Sequence, residues 1–164
     1  MKVITAGPTD AVSGQIRVPG DKSISHRAIM FGGLARGRTT VTGFLPGEDC
    51  LATLAAVEAM GVAVDRREAT SISLEGAGLH GLKAAGAALD MGNSGTAMRL
   101  FAGLLSGQAF DSELKGDESL SRRPMERVAG PLRQMGAGIR TTGGHAPLYI
   151  TGNQALRGID MSCP

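Results

Sequence analysis

The amino-acid sequence predicts an α/β (α+β) protein built from repeated β-α-β-α-β-β units packed around buried helices. Three observations predict it: an internal duplication, apolar runs at helical spacing that stop at glycine, and short apolar-alternating segments that close each copy. The first copy begins at Lys22-Ser23-Ile24-Ser25-His26-Arg27 and continues through AIMFGGLARG to Gly37. A strand candidate spans Thr39 to Phe44. A helix candidate follows in DCLATLAAVEAMG, where Leu51, Leu54, Ala55, Val57 and Met60 fall near helical spacing and Gly61 supplies a stop. Val62-Ala63-Val64 and Ser71-Ile72-Ser73-Leu74 read as two strands closing at Gly76.

The second copy keeps the order. Gly92-Asn93-Ser94-Gly95-Thr96 leads into AMRLFAGLLSG, ending at Gly107, and Phe110 to Leu114 is the next strand. The helix candidate PMERVAGPLRQMG reaches Gly136, and Gly138-Ile139-Arg140 and Leu148-Tyr149-Ile150 close at Gly152. Met60-Gly61 matches Met135-Gly136, and Glu75-Gly76 matches Thr151-Gly152. The offset grows from 70 positions (37 to 107) to 76 (76 to 152), which a small insertion explains. Neither copy can hide its apolar face alone, so the units must stack on shared helices. The units are 20–90 and 91–160. Residues 1–19 lie outside them, and the alternation of Ser13-Gly14-Gln15-Ile16-Arg17-Val18 predicts a strand leading into the first unit. Pro131 falls inside the last helix candidate, which predicts a kink or a helix start near it.

Composition narrows the function. Of 164 residues, 42% are hydrophobic and 20% charged, as in a globular protein rather than a disordered one. Four Phe, one Tyr and no Trp leave little for base stacking, and a net charge of +2 is too small to favour a polyanion, so nucleic acid is not expected. Cys50 and Cys163 show neither pairing nor metal-ligand spacing and are expected to be reduced. MKVITAGPTD lacks a hydrophobic signal core, and no apolar run approaches roughly 18 residues, so the expectation is a cytoplasmic protein with no membrane partner.

The chemistry points to anions. Each copy places a Gly-bearing polar turn directly before a helix: Pro19-Gly20-Asp21-Lys22-Ser23 in the first, Gly92-Asn93-Ser94-Gly95-Thr96 in the second. A helix start offers unpaired N–H groups and partial positive charge to phosphate or carboxylate. Lys22 and Ser23 add donors, Arg27 adds a forked guanidinium, and Arg99 repeats the device in the second copy. Gly95 lets a ligand approach the backbone. Simple capping by Ser23 or Ser94 explains one such turn; two turns, each with cations, point to an anion site. A third cluster, Lys115-Gly116-Asp117-Glu118-Ser119-Leu120-Ser121-Arg122-Arg123-Pro124, could return an arginine to the second turn. The sequence has no phosphate loop, no dinucleotide fingerprint, no nucleophile elbow and no metal-ligand spacing around His26, His80 or His145. Glu48 and Asp49 read as compensation of a helix dipole.

Three ordered segments carry a resemblance. Pro19 to Ala28 (PGDKSISHRA), Gly92 to Arg99 (GNSGTAMR) and Gly116 to Met125 (GDESLSRRPM) resemble the three signatures of the 5-enolpyruvylshikimate-3-phosphate (EPSP) synthase family. Members of that family transfer the enolpyruvyl group of phosphoenolpyruvate to the 5-hydroxyl of shikimate 3-phosphate, in the shikimate pathway to chorismate and the aromatic amino acids. The reaction is an addition and elimination that uses neither metal nor organic cofactor, and it is the target of glyphosate. The family fold has two domains of three units each, so the resemblance implies two units of one domain here. It also implies that residues 1–19 cross to the other domain.

By the same resemblance, Lys22 is catalytic and contacts both substrates, and Ser23 and Arg27 hold shikimate 3-phosphate. Asn93, Gly95, Thr96 and Arg123 lie on the phosphoenolpyruvate side, and Gly95 is the position linked to glyphosate sensitivity. In the related enolpyruvyl transferase acting on UDP-N-acetylglucosamine, Asn follows the equivalent lysine; Ser23 and Arg27 favour shikimate 3-phosphate. The match implies a partner, the C-terminal half of the enzyme. Without it the chain is expected to be silent, and a non-catalytic anion-binding module is the alternative.

Overall fold

The computed structural model describes residues 3–161. The first unit runs α1 (Lys22–Leu34), β1 (Arg36–Thr42), α2 (Glu48–Ala59), β2 (Ala63–Glu68) and β3 (Ser71–Ala77). The second runs β4 (Leu89–Asp90), α3 (Gly95–Ser106), β5 (Ser112–Lys115), α4 (Glu118–Ser121), α5 (Glu126–Gln134), β6 (Gly138–Thr142) and β7 (His145–Thr151). The strands form two sheets, in the orders β1-β3-β2 and β4-β5-β7-β6. The trio β5-β7-β6 repeats β1-β3-β2 strand for strand, all antiparallel, and β4 adds a parallel edge beside β5. The duplication in the sequence is therefore a duplication of topology.

The helices make the core. Leu54, Val57 and Met60 from α2 and its cap, and Met98, Phe101 and Leu105 from α3, are at most 2% exposed. Each such side chain contributes about 1.5–3 kcal/mol by leaving water. β7 alternates strictly, sending Ala146, Leu148 and Ile150 inward. The closing glycines have a common cause. A Cβ on Gly76 would stand 2.3 Å from the Ala35 carbonyl oxygen, and one on Gly152 would stand 2.4 Å from the Phe110 amide nitrogen. In both units the end of the last strand presses on the backbone that leaves the first helix, and only glycine fits.

Helix starts follow capping chemistry. Asp21 caps α1 by accepting from the Ile24 amide at 2.7 Å, so Ser23 lies within the first turn instead of capping it. Ser94 does cap α3, accepting from the Ala97 amide at 3.2 Å. The C-terminal ends of α1 and α3 meet across one short bridge. The Gly78 amide donates to the Ala35 carbonyl at 2.8 Å, and the Gln108 side-chain amide donates to the Leu79 carbonyl at 3.2 Å. With 13 and 12 residues, the two helices have nearly equal length, and both line one groove, Arg27, Phe31 and Leu34 from α1 and Leu100 and Leu104 from α3.

Some expectations are corrected. The strand expected over Ser13–Val18 does not form: residues 3–21 carry no helix or strand, and Ile16 and Val18 are exposed. Alternation gives a segment two faces, but a strand also needs a partner for its backbone hydrogen bonds. Pro131 does not start a helix; it lies inside α5, which begins at Glu126. Leu89 and Asp90 pair with Leu114 and Lys115, which adds a parallel edge strand to the second sheet. Cys50 is buried and free, whereas Cys163 lies outside the described residues. Among the described residues no helix is long and apolar enough to cross a membrane, and no His, Cys, Asp or Glu cluster could hold a metal.

Candidate functional site

The site divides into two halves, one at each helix start. At α1, the Lys22 ammonium pairs with the Asp49 carboxylate of α2 at 3.0 Å. Ser23 and Arg27 are exposed on the same helix, and Arg27 opens a groove of about 410 Å³ between α1 and α3. Phe31, Leu34, Leu100 and Leu104 make most of the rest of that groove apolar. Beneath the first turn, the Ser25 hydroxyl donates to the Asp21 carbonyl at 2.8 Å and accepts from the Leu45 amide at 3.1 Å. The start of α1 is thereby fastened to the β1–α2 connection.

At α3, Asn93 sits between opposite charges. Its amide nitrogen donates to both carboxylate oxygens of Asp117, at 3.1 and 2.8 Å, while its carbonyl oxygen accepts from the Arg123 guanidinium. Those hydrogen bonds from Asn93, with a further one from the Leu120 amide, hold the Asp117 carboxyl below its ordinary range. Arg123 is half-buried, and its carbonyl is 3.1 Å from Nδ1 of His145. Arg99 donates from Nη1 to the Gly95 carbonyl at 3.1 Å and from Nη2 to the Pro124 carbonyl at 3.3 Å. Its Nε is buried with no hydrogen-bond partner among the described residues.

Positive charge is gathered here, with Asp117 the acid joined to Arg123 through Asn93. Among the described residues Arg99, Arg123 and Arg127 have no ion pair, although most of the other arginines that pair with acids do so openly on the surface. Burial depresses the Arg99 pKa, and the nearby charges of Arg127 and Arg123 lower it further. Crowded cations beside an open helix start form a well for a small anion.

Of the residues singled out from the sequence, Asn93, Gly95 and Arg123 come together, with Thr96 exposed one position into α3. Lys22, Ser23 and Arg27 all lie on α1, but Lys22 turns to Asp49 of α2 while Arg27 borders the groove beside α3. Among the described residues no hydrogen bond joins the Lys22 group to the Arg123 group; α1 and α3 line a common groove, which Arg27 borders and Lys22 and Arg123 do not. Sequence reasoning missed Asp49 as the partner of Lys22, because an acid in a first turn has a sufficient local explanation. It also missed Arg127, which carries no motif.

A family model described as EPSP synthase (3-phosphoshikimate 1-carboxyvinyltransferase) matches residues 7–164. A 3-phosphoshikimate 1-carboxyvinyltransferase of Methylococcus capsulatus is 60% identical over 99% of this chain and 37% of its own length. One from Alkalilimnicola ehrlichii is 57% identical over 96% of this chain and 35% of its own length. The solved EPSP synthase of Acinetobacter baumannii superposes with a TM-score of 0.86 and 59% identity, covering 89% of this chain and 33% of that one. The chain thus spans little more than a third of the curated relatives it matches. With a duplicated unit, two cationic helix starts and a family match over nearly its full extent, the chain belongs to the EPSP synthase family.

Proposed function

We propose that this chain supplies one wall of an enolpyruvyl transferase site, which binds shikimate 3-phosphate and phosphoenolpyruvate between this wall and the rest of a longer protein. The observation that carries the reading is the cluster of Arg99, Arg123 and Arg127 near the start of α3, close enough to lower the Arg99 pKa and, among the described residues, without an ion pair. Two substrates that each carry phosphate and carboxylate repel one another, and a site that joins them has to supply fixed positive charge. Arg123, Asn93, Gly95 and Thr96 take the phosphoenolpyruvate side; Ser23 and Arg27 take the phosphate of shikimate 3-phosphate. Lys22 stands between them and contacts both.

In this reaction the 5-hydroxyl oxygen bonds to C2 of phosphoenolpyruvate while C3 gains a proton. Phosphate then leaves as C3 gives up a proton, so the enol ether forms with no net redox change. The fixed cations stabilise phosphate-borne charge throughout. Residues 20–164 provide two of the three units of one domain, and a helix of the third fills the apolar groove between α1 and α3. Residues 1–19 reach the second domain.

Mixing this chain with a separately produced remainder of the Methylococcus relative, then measuring phosphate release from both substrates, tests the reading. Restored turnover is expected. Correctly folded halves that associate yet release no phosphate would refute it.

A further inference from the structure

His26 is completely buried in α1, one turn beyond Lys22. Its Nδ1 lies 2.7 Å from the Thr53 hydroxyl of α2, and that hydroxyl donates to the Asp49 carbonyl at 3.3 Å. A hydroxyl has one proton to give. If it is spent on Asp49, an oxygen lone pair faces the imidazole and the proton between the two side chains belongs to Nδ1. Burial lowers the pKa of His26 and keeps the ring neutral.

Asp49 is thus held twice. Its carbonyl ends the chain from His26 through Thr53, and its carboxylate receives the Lys22 ammonium at 3.0 Å. The Cys50 thiol adds a weak contact to the Lys22 carbonyl at 3.7 Å. Lys22 lies near the surface, and its flexible stem has no other hydrogen-bond partner among the described residues. An exposed ion pair of this kind holds a side chain weakly unless its partner is itself fixed.

We propose that His26 is a positioning residue for the anion site: as the neutral Nδ1–H tautomer it donates to Thr53, fixes the first turn of α2, and so orients Lys22 through Asp49. The inference rests on the proposed role of Lys22 in ligand contact, but its own geometry can be tested without ligand. A packing role alone makes a different forecast. If His26 and Thr53 only fill space, Thr53→Val keeps the shape and is harmless, whereas Thr53→Ser leaves a gap.

The test uses the isotope-labelled chain. Long-range imidazole 15N spectra report the tautomer, the 13C resonance of the Asp49 carboxylate reports its contact with Lys22, and shikimate 3-phosphate is titrated into each variant. The expected wild-type spectrum is a single neutral Nδ1–H imidazole. In Thr53→Val the Asp49 resonance moves to its position in Lys22→Ala and affinity falls about ten-fold, the weight of one net hydrogen bond. Thr53→Ser restores both. His26→Asn, which keeps a donor near the Nδ1 position, retains the Asp49 resonance and covers the case in which a Thr53 variant does not fold. An Nε2–H or protonated ring, or an Asp49 resonance unmoved in folded Thr53→Val, overturns the proposal. If the spectra behave as expected but wild type binds no shikimate 3-phosphate, the positioning geometry stands and the ligand reading falls.

Discussion

The Arg123 guanidinium occupies the space that a side chain on Gly95 would need. A Cβ at that position would stand 3.1 Å from Nη1 of Arg123 and 2.7 Å from Nη1 of Arg99. Both obstacles are tips of flexible side chains, so Gly95→Ala moves arginines rather than backbone. Alanine is better in a helix by up to about 1 kcal/mol, so the melting temperature should hold or rise slightly. The Arg99 hydrogen bond to the Gly95 carbonyl should be lost and phosphoenolpyruvate affinity should drop about ten-fold. Thermal melts beside a phosphoenolpyruvate titration check both halves, and unchanged affinity would remove Gly95 from the site.

Asn93 connects Arg123 to Asp117 and should be visible in the titration of the carboxyl. Its hydrogen bonds are the largest cause of the lowered Asp117 pKa, so Asn93→Ala should raise that pKa toward the ordinary 3.8. A depressed carboxyl pKa adds stability above the unfolded-state value and loses it as pH falls. Asn93→Ala should therefore cost stability at neutral pH and little near the acid limit. A 13C carboxyl titration of Asp117 measures the shift; no movement would mean that the contact is absent in solution.

The paired closing glycines yield a matched experiment. Gly76→Ala and Gly152→Ala each drive a methyl into main-chain atoms that cannot step aside, at 2.3 and 2.4 Å. Each should destabilise the fold by about 1–3 kcal/mol or more in urea denaturation. Gly103, in α3, has nothing within 4 Å of where a Cβ would stand, and Gly103→Ala should stabilise by up to about 1 kcal/mol. Equal stability across all three variants would contradict the packing described.

Glu126 anchors α5 to β6. Its carboxylate accepts from Arg133 at 2.7 and 3.1 Å and from the Thr141 hydroxyl at 2.7 Å, and these contacts bring its pKa down from 4.5 to about 2. The folded state then binds fewer protons than the unfolded chain between those two values, so this stability is complete above pH 4.5 and disappears as pH falls through about 2. Glu126→Gln should be less stable than wild type at neutral pH, with the gap closing over that window. A constant gap from neutral to acid would disprove the assignment.

The parts of this fold that were legible in the sequence are those with local causes. Glycine after Met60 and Met135 and the alternation in Leu148–Ile150 act over a few residues, and two copies made each easier to see. Asp21 shows the limit of that legibility: a cap was expected, but Ser23 and Asp21 both suit the role, and only the observed bond from the Ile24 amide decides between them. Long-range pairings were not legible. Lys22 and Asp49 stand 27 positions apart, and neither residue marks the other; the acidic pair at the start of α2 already had a local explanation in the helix dipole. Ile16 and Val18 failed for the opposite reason, since their pattern is local but the partner that a strand requires is not.

If the arginines around α3 hold an anion as proposed, the protein's stability becomes a function of its buffer. On the proposed reading, a dianion among Arg99, Arg123 and Arg127 relieves their mutual repulsion and binds the native state alone, so sulfate or phosphate is expected to act both as folding aid and as competitor. Melting curves recorded in such buffers should then describe a loaded molecule, and affinities measured there should be those of an exchange, one anion for another.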